Sequence, residues 1–176
     1  MNFPTYSQAV EFHGHSCPGL SIGYRMTTEA LKKLNEIRAK DEQIVAIVEN
    51  DACGVDAVQL ISGCTFGKGN LIFNDFGKQV YTFFSRKTSV GIRVSFNGDN
   101  CPEEIRTNRN KFADWILSAP VDEMLNLDQI EICEPSRAKI FNSICCQHCG
   151  EKTMETRIRV YDSKMLCIPC FKKLHC

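Results

Sequence analysis

Two C-x2-C pairs, Cys146-Gln147-His148-Cys149 and Cys167-Ile168-Pro169-Cys170, stand 17 residues apart and constrain this chain more than any other feature. Each two-residue spacing lets a tight turn present two thiolates to one ion, and four thiolates close a tetrahedral sphere around zinc. Cys146, Cys149, Cys167 and Cys170 are therefore expected to hold a structural zinc, with Gly150 relieving crowding behind the first turn. Cys145 would fit only by lengthening the first spacing, so it is read as a bystander. Glu155 to Val160 alternates like a strand, and Phe171-Lys172-Lys173-Leu174 can begin a helix after the second pair. A segment of roughly 34 residues with few large apolar side chains lacks a core of its own, which the ion then supplies. This order predicts a treble-clef or zinc-ribbon subdomain over residues 143–176 and a separate core domain over 1–142. His175 and Cys176 offer a second donor pair, but at the chain end they are expected to be mobile.

The core domain carries different chemistry. Eleven cysteines are an odd number, and Met1-Asn2-Phe3-Pro4 is not a basic region followed by an apolar one, so metal or redox chemistry in the cytoplasm is expected over a secreted disulfide framework. No apolar run is long enough to span a membrane. With 21 basic and 21 acidic side chains there is no global field to recruit nucleic acid or an anionic membrane. A nucleic-acid or protein partner would have to meet a local patch, such as Arg157, Arg159, Lys172 and Lys173 on the finger.

His13-Gly14-His15-Ser16-Cys17-Pro18-Gly19 places two imidazoles and a thiol within five residues, a donor set suited to zinc, nickel, copper or iron. His15 is preferred as the ligand, with His13 as the group that orients the loop. Residues 5–13 read as a weak helix. Pro18 suits the first position of a second, from Pro18 to Arg38, whose N-terminal dipole would favour a thiolate at Cys17. Ile44 to Val48 is an apolar, mostly β-branched strand covered on both faces, followed by a turn over Asp51–Gly54 and a short helix from Val55 to Ile61 that Gly63 ends. Cys53 thus stands between a buried strand and a helix start, between Asp51 and Asp56. Asp56 suits either that helix start or a metal, and Cys64 either packing or chemistry. Gly63-x3-Gly67-Lys68-Gly69 is one residue short of a phosphate-binding loop and puts Gly69 where a magnesium-binding hydroxyl belongs. Nucleotide hydrolysis is disfavoured, and Lys68 is left as a candidate for an anionic ligand. Cys101 and Cys133 read as structural.

Leu71–Phe73, Val80–Phe84 and Val90–Phe96 then read as three antiparallel strands, 97–108 as a loop, Arg109–Leu117 as a helix, Pro120–Leu125 as a helical turn and Gln129–Cys133 as a last strand. The order predicts an α+β fold, with helices packed on a mixed, largely antiparallel sheet.

Phe12 to Gly19, Cys53-Gly54-Val55-Asp56-Ala57, Gly63 to Asn70 and the terminal cysteine pairs together resemble the FmdE family of formylmethanofuran dehydrogenase-associated proteins. The resemblance covers nearly the whole chain. It implies an α+β core with a mixed sheet, a treble-clef-like C-terminal zinc finger, a homodimer, and a link to molybdenum or tungsten formylmethanofuran dehydrogenase or related one-carbon metabolism.

Three functions follow from the residues. The first is a metal or small-molecule site built from His15, Cys17 and Cys53, with His13, Asp56, Cys64 and Lys68 near it and a second transition metal besides the zinc. The second is a thiol redox or acyl-transfer enzyme with Cys17 or Cys53 as nucleophile and His15 as base. The third is a regulatory module acting through the finger.

Overall fold

The computed structural model describes residues 2–175, so the pairing of His175 with Cys176 falls outside the described residues. The chain divides into two compact units between Ala138 and Lys139.

In the first unit, helix α1 (Tyr6–His13) starts on a capping box. Thr5 Oγ1 accepts from the Gln8 N–H, and the Gln8 side chain accepts from the Thr5 N–H. Gly14, at φ 97°, ends it in the left-handed region. Helix α2 (Pro18–Leu34) begins at the proline that the sequence marks, with Cys17 as its N-cap. It stops four residues short of the expected Arg38, because Asn35 turns left-handed and closes its N–H on Leu31 and Lys32 carbonyls. Buried strand β1 (Ile44–Val48) leads into α3 (Gly54–Ser62), a one-turn 3-10 helix over Phe66–Lys68, and β2 (Leu71–Phe73). Strands β3 (Val80–Ser85) and β4 (Val90–Phe96), helices α4 (Glu103–Arg106), α5 (Arg109–Ser118) and α6 (Val121–Met124), and strand β5 (Leu125–Ile130) complete the unit.

The sheet order is β2-β1-β3-β4-β5. This is the mixed sheet of an α+β fold, but Leu71–Phe73 does not extend an antiparallel meander as expected. It pairs parallel to β1, Val48 opposite Phe73, and β1 lies between it and β3. The β1-α3-β2 segment is therefore a crossover whose helix buries Val55, Ala57, Val58 and Ile61. The last strand starts at Leu125 rather than Gln129, and Glu103–Arg106 is helical where a loop was expected. Leu20, Met26 and Leu31 of α2 meet Tyr81, Phe83 and Ile92 of the sheet in one apolar cluster.

Two glycines set the approach of α2 to α3. A Cβ on Gly23 would stand 2.2 Å from the Gly54 carbonyl oxygen, and one on Gly54 would stand 2.9 Å from the Gly19 oxygen. The helix N-termini therefore abut as backbone against backbone.

Arg86 fixes the end of this unit. Its side chain is 4% exposed and donates to Glu42 O, Glu134 Oε1, Pro135 O and Ser136 O at 2.6–3.2 Å. Arg86→Ala is expected to cost about 1–2 kcal/mol, read as a lower urea midpoint, because three carbonyls and one carboxylate lose a charged donor at once.

The second unit contains hairpin β6 (Ser143–Cys145) and β7 (Lys152–Met154), a 3-10 turn over Glu155–Arg157, hairpin β8 (Ile158–Tyr161) and β9 (Lys164–Cys167), and helix α7 (Ile168–His175). The strand expected from Glu155 begins only at Ile158. Helix α7 begins inside the second cysteine pair, not at Phe171, since Pro169 in its first turn needs no N–H partner. No helix among the described residues is long and apolar enough to cross a membrane.

Candidate functional site

The first C-x2-C pair lies in the turn after β6 and the second at the junction of β9 and α7. All four sulfurs lie within 4.8 Å of one another, and Cys149 Sγ is 3.9 Å from Cys167 Sγ. A tetrahedral zinc with ~2.3 Å bonds sets its thiolates about 3.8 Å apart, so the cluster fits that ion with little movement. The Cys149 and Cys167 backbone N–H groups hold the Cys146 thiol down, to about 6. The Cys167 thiol and burial push Cys170 up, to about 12. Four adjacent thiolates resist joint ionisation without a cation, and a divalent ion removes that conflict. The unit is a C-terminal four-cysteine zinc-binding site. Cys145 is exposed and outside the cluster.

In the first unit the end of α1, the turn behind it and the N-cap of α2 bring His13, His15 and Cys17 together, with donor atoms within 4.8 Å of one another. That spacing is comparable with the span of two metal–ligand bonds of ~2.0–2.3 Å each. Gly14 folds the chain so that the two rings come to 4.5 Å between centroids. Cys17 is 2% exposed, and its Sγ accepts from the Leu20 N–H at 3.3 Å.

His13 departs from its expected secondary place. Its Nδ1 lies 2.7 Å from Asp56 Oδ2, and its Nε2 lies 3.9 Å from Cys17 Sγ. A proton on Nδ1 satisfies the carboxylate and leaves the Nε2 lone pair facing the thiol, the arrangement in which a carboxylate orients a metal-binding imidazole. His13 is thus as well placed to ligate as His15, and Asp56 serves as its anchor. Asp56 also accepts from Gln59 Nε2 at 3.4 Å, which fixes the carboxylate from its own helix.

Cys53 borders this triad without joining it. The point where a Gly19 Cβ would stand is 3.9 Å from Cys53 Sγ and 4.0 Å from Cys17 Sγ. Burial first, and the Cys17 thiol next, raise the Cys53 thiol above its ordinary value. That runs against a low-pKa nucleophile at this position.

Cys64 and Lys68 are not brought in. Cys64 is fully buried at the far end of β1, where its thiol donates to Ile44 O at 3.4 Å and burial raises it to about 11. It is a packing residue. Lys68 closes the 3-10 turn and does not line the cleft that contains His13. Cys101 is buried, whereas Cys133, expected to be structural, is exposed.

A cleft of about 500 Å³ opens beside the triad. His13, Cys53 and Asp56 line one side, Val48, Asn50 and Asp51 the end of β1, and Phe66 and Phe73 the mouth. Its size falls within the range of small-molecule sites. Sequence reasoning missed the two aromatics, although Phe66 sits inside the glycine-rich stretch and Phe73 ends a strand. It also missed Tyr81, whose buried hydroxyl lies 2.5 Å from the position of a Gly54 Cβ and has no hydrogen-bond partner among the described residues. The nearby Asn50 amide is spent on Lys78 O and Gln79 Oε1, at 2.5 and 2.6 Å, so it approaches the Tyr81 hydroxyl without satisfying it.

The family model described as FmdE, molybdenum formylmethanofuran dehydrogenase operon, matches residues 12–140. That of the prokaryotic dksA/traR C4-type zinc finger matches residues 139–174. A protein of Archaeoglobus fulgidus described as a probable S-adenosyl-L-methionine-binding protein is 32% identical over 191 aligned positions, covering 93% of this chain and 51% of its own length. The chain thus spans about half the length of that curated relative. A crystal structure of a tungsten formylmethanofuran dehydrogenase FmdE-like protein from Syntrophus aciditrophicus has a TM-score of 0.74 over 98% of each chain at 24% identity, a likeness of fold.

Proposed function

The chain belongs to the FmdE family, and from that premise we propose that its core domain is a metal-dependent small-molecule site, distinct from the zinc of the finger. The observation that carries the reading is the donor set of His13, His15 and Cys17, with His13 held by Asp56. Three protein ligands leave a fourth position for a substrate atom or water, as in catalytic zinc sites, whereas four thiolates leave none. The ion would act there as a Lewis acid or bind a substrate donor. The cleft beside it supplies the room, and Cys53 stands at the boundary of the two.

Metal analysis of the purified chain should find two ions per chain, one for the finger and one for the core. Cys17→Ala is expected to remove the core ion and leave the finger zinc. A stoichiometry unchanged by Cys17→Ala and by His13→Ala would defeat the proposal.

A second reading, binding of S-adenosyl-L-methionine, is supported by the archaeal relative. Since the chain covers only half of that protein, calorimetry with the present chain is the deciding measurement, and no heat of binding at millimolar ligand would remove it. The implied homodimer is testable by sedimentation, which should give about twice 19.9 kDa.

A further inference from the structure

We propose that the cleft is a nucleoside site that selects against phosphates: it takes a flat ring and a sugar diol, uncharged or cationic, beside the core metal. This rests on the reading of the core as a metal-dependent small-molecule site and adds which chemistry its ligand carries.

Topology gives the first reason. β1 and β2 are parallel, linked through α3, and both end at the cleft with Val48 and Phe73. In α/β arrangements, ligands bind in the crevice beyond the carboxyl ends of such strands. Asp51, three residues after β1, lies at the carboxyl end of the strand, where its carboxylate can accept from a sugar hydroxyl. It is exposed, lines the cleft, and makes no hydrogen bond or ion pair among the described residues.

The aromatics give the second. Phe66 is 62% exposed and Phe73 38%, and both line the cleft. Side chains of that size left open to water at a cleft mouth suit a stacked ring, and every nucleobase presents one.

Charge gives the third. The ionised side chains on the walls are Asp51 and Asp56, and neither lysine nor arginine lines the cleft. Even with a divalent ion in the core, the Cys17 thiolate and the Asp56 carboxylate balance it and leave Asp51 uncompensated. The glycine-rich stretch does not supply a phosphate cradle either, because Gly69 ends a 3-10 turn whose Lys68 is not on the cleft wall. The anionic ligand expected from Lys68 therefore has no partner here.

The test uses the full chain loaded with zinc and titrated calorimetrically with adenosine and with adenosine 5′-monophosphate. Adenosine should bind saturably, and the monophosphate about tenfold more weakly or less. Phe66→Ala, at an exposed position safe for folding, should weaken adenosine by about tenfold. Asp51→Asn should weaken adenosine and shrink its preference over the monophosphate to under about threefold. Equal or tighter binding of the monophosphate, or no adenosine binding, overturns the inference. Core metal is measured on the same sample, so loss of the ion exposes a failure of the underlying reading, while an intact ion without adenosine binding exposes a failure of this one.

Discussion

Removing zinc from the intact chain with a chelator is expected to unfold everything from Lys139 onward while residues before it keep their structure. The second unit gathers its apolar residues into a cluster of Cys146, Leu166, Cys167 and Cys170 with Phe171 against it, in which three of the four fully buried members are ligands. Without the ion that cluster loses its centre, and the two short hairpins lose what fixes them to α7. Structural zinc in small units of this kind contributes ~10–16 kcal/mol of apparent binding free energy, more than such a unit stores otherwise. Hydrogen exchange read by mass spectrometry should show protection lost over β6 to α7 and retained over β1, β3 and β4. Equal protection with and without the ion would contradict a metal-built unit. Cys149→Ser, which removes one thiolate, should weaken the ion and reach the chelated pattern at a lower chelator concentration.

Gly23→Ala is expected to destabilise the core by about 3 kcal/mol or more and to lower its melting temperature by roughly 10 °C. The added Cβ would fall 2.2 Å from Gly54 O and 2.4 Å from Gly54 Cα, and these are backbone atoms that no rotamer change moves away. Helices α2 and α3 would have to separate at their N-terminal ends, where Cys17, Cys53 and Asp56 are held. Core metal should therefore weaken together with stability. A more distant overpacking change, such as Ala30→Val on the same helix at a fully buried position, should cost stability by a similar mechanism with a smaller effect on the metal. A Gly23→Ala protein with wild-type melting and metal content would show that the helix contact is not what positions the donors.

The elements of this fold were readable where one local rule dominates. Pro18 and Gly63 mark helix ends by backbone chemistry, and the C-x2-C pairs mark a zinc unit by ligand spacing. Pairing was harder. Leu71–Phe73 is three residues long, too short for a pattern to say which strand it joins, and the turn-like composition of 74–78 invited a hairpin that β1 occupies instead. The end of α2 escaped because its apolar rhythm continues past Asn35, while the left-handed backbone there is a single-residue choice.

The site divides in the same way. His13, His15 and Cys17 were visible as neighbours in the chain, but the hydrogen bond from His13 to Asp56 crosses 43 residues and depends on the approach of α1 to α3. Cys64 sits in a motif with the look of chemistry, and only its burial against Ile44 O identifies it as packing.

The two donor sets differ in how far the chain must travel to assemble them. In the finger, each cysteine pair is closed by a turn of two residues, so an ion finds half its ligands in any extended chain emerging during synthesis. In the core, the Gly14 turn presents two imidazoles early, but the carboxylate that fixes one ring arrives only when α3 has docked on α1. Closing that long loop precedes the gain from its contacts. The finger's half-sites are therefore local, whereas the pairing of His13 with Asp56 exists only once the first unit has folded, so the two donor sets differ in how much of the fold must be in place before they are complete.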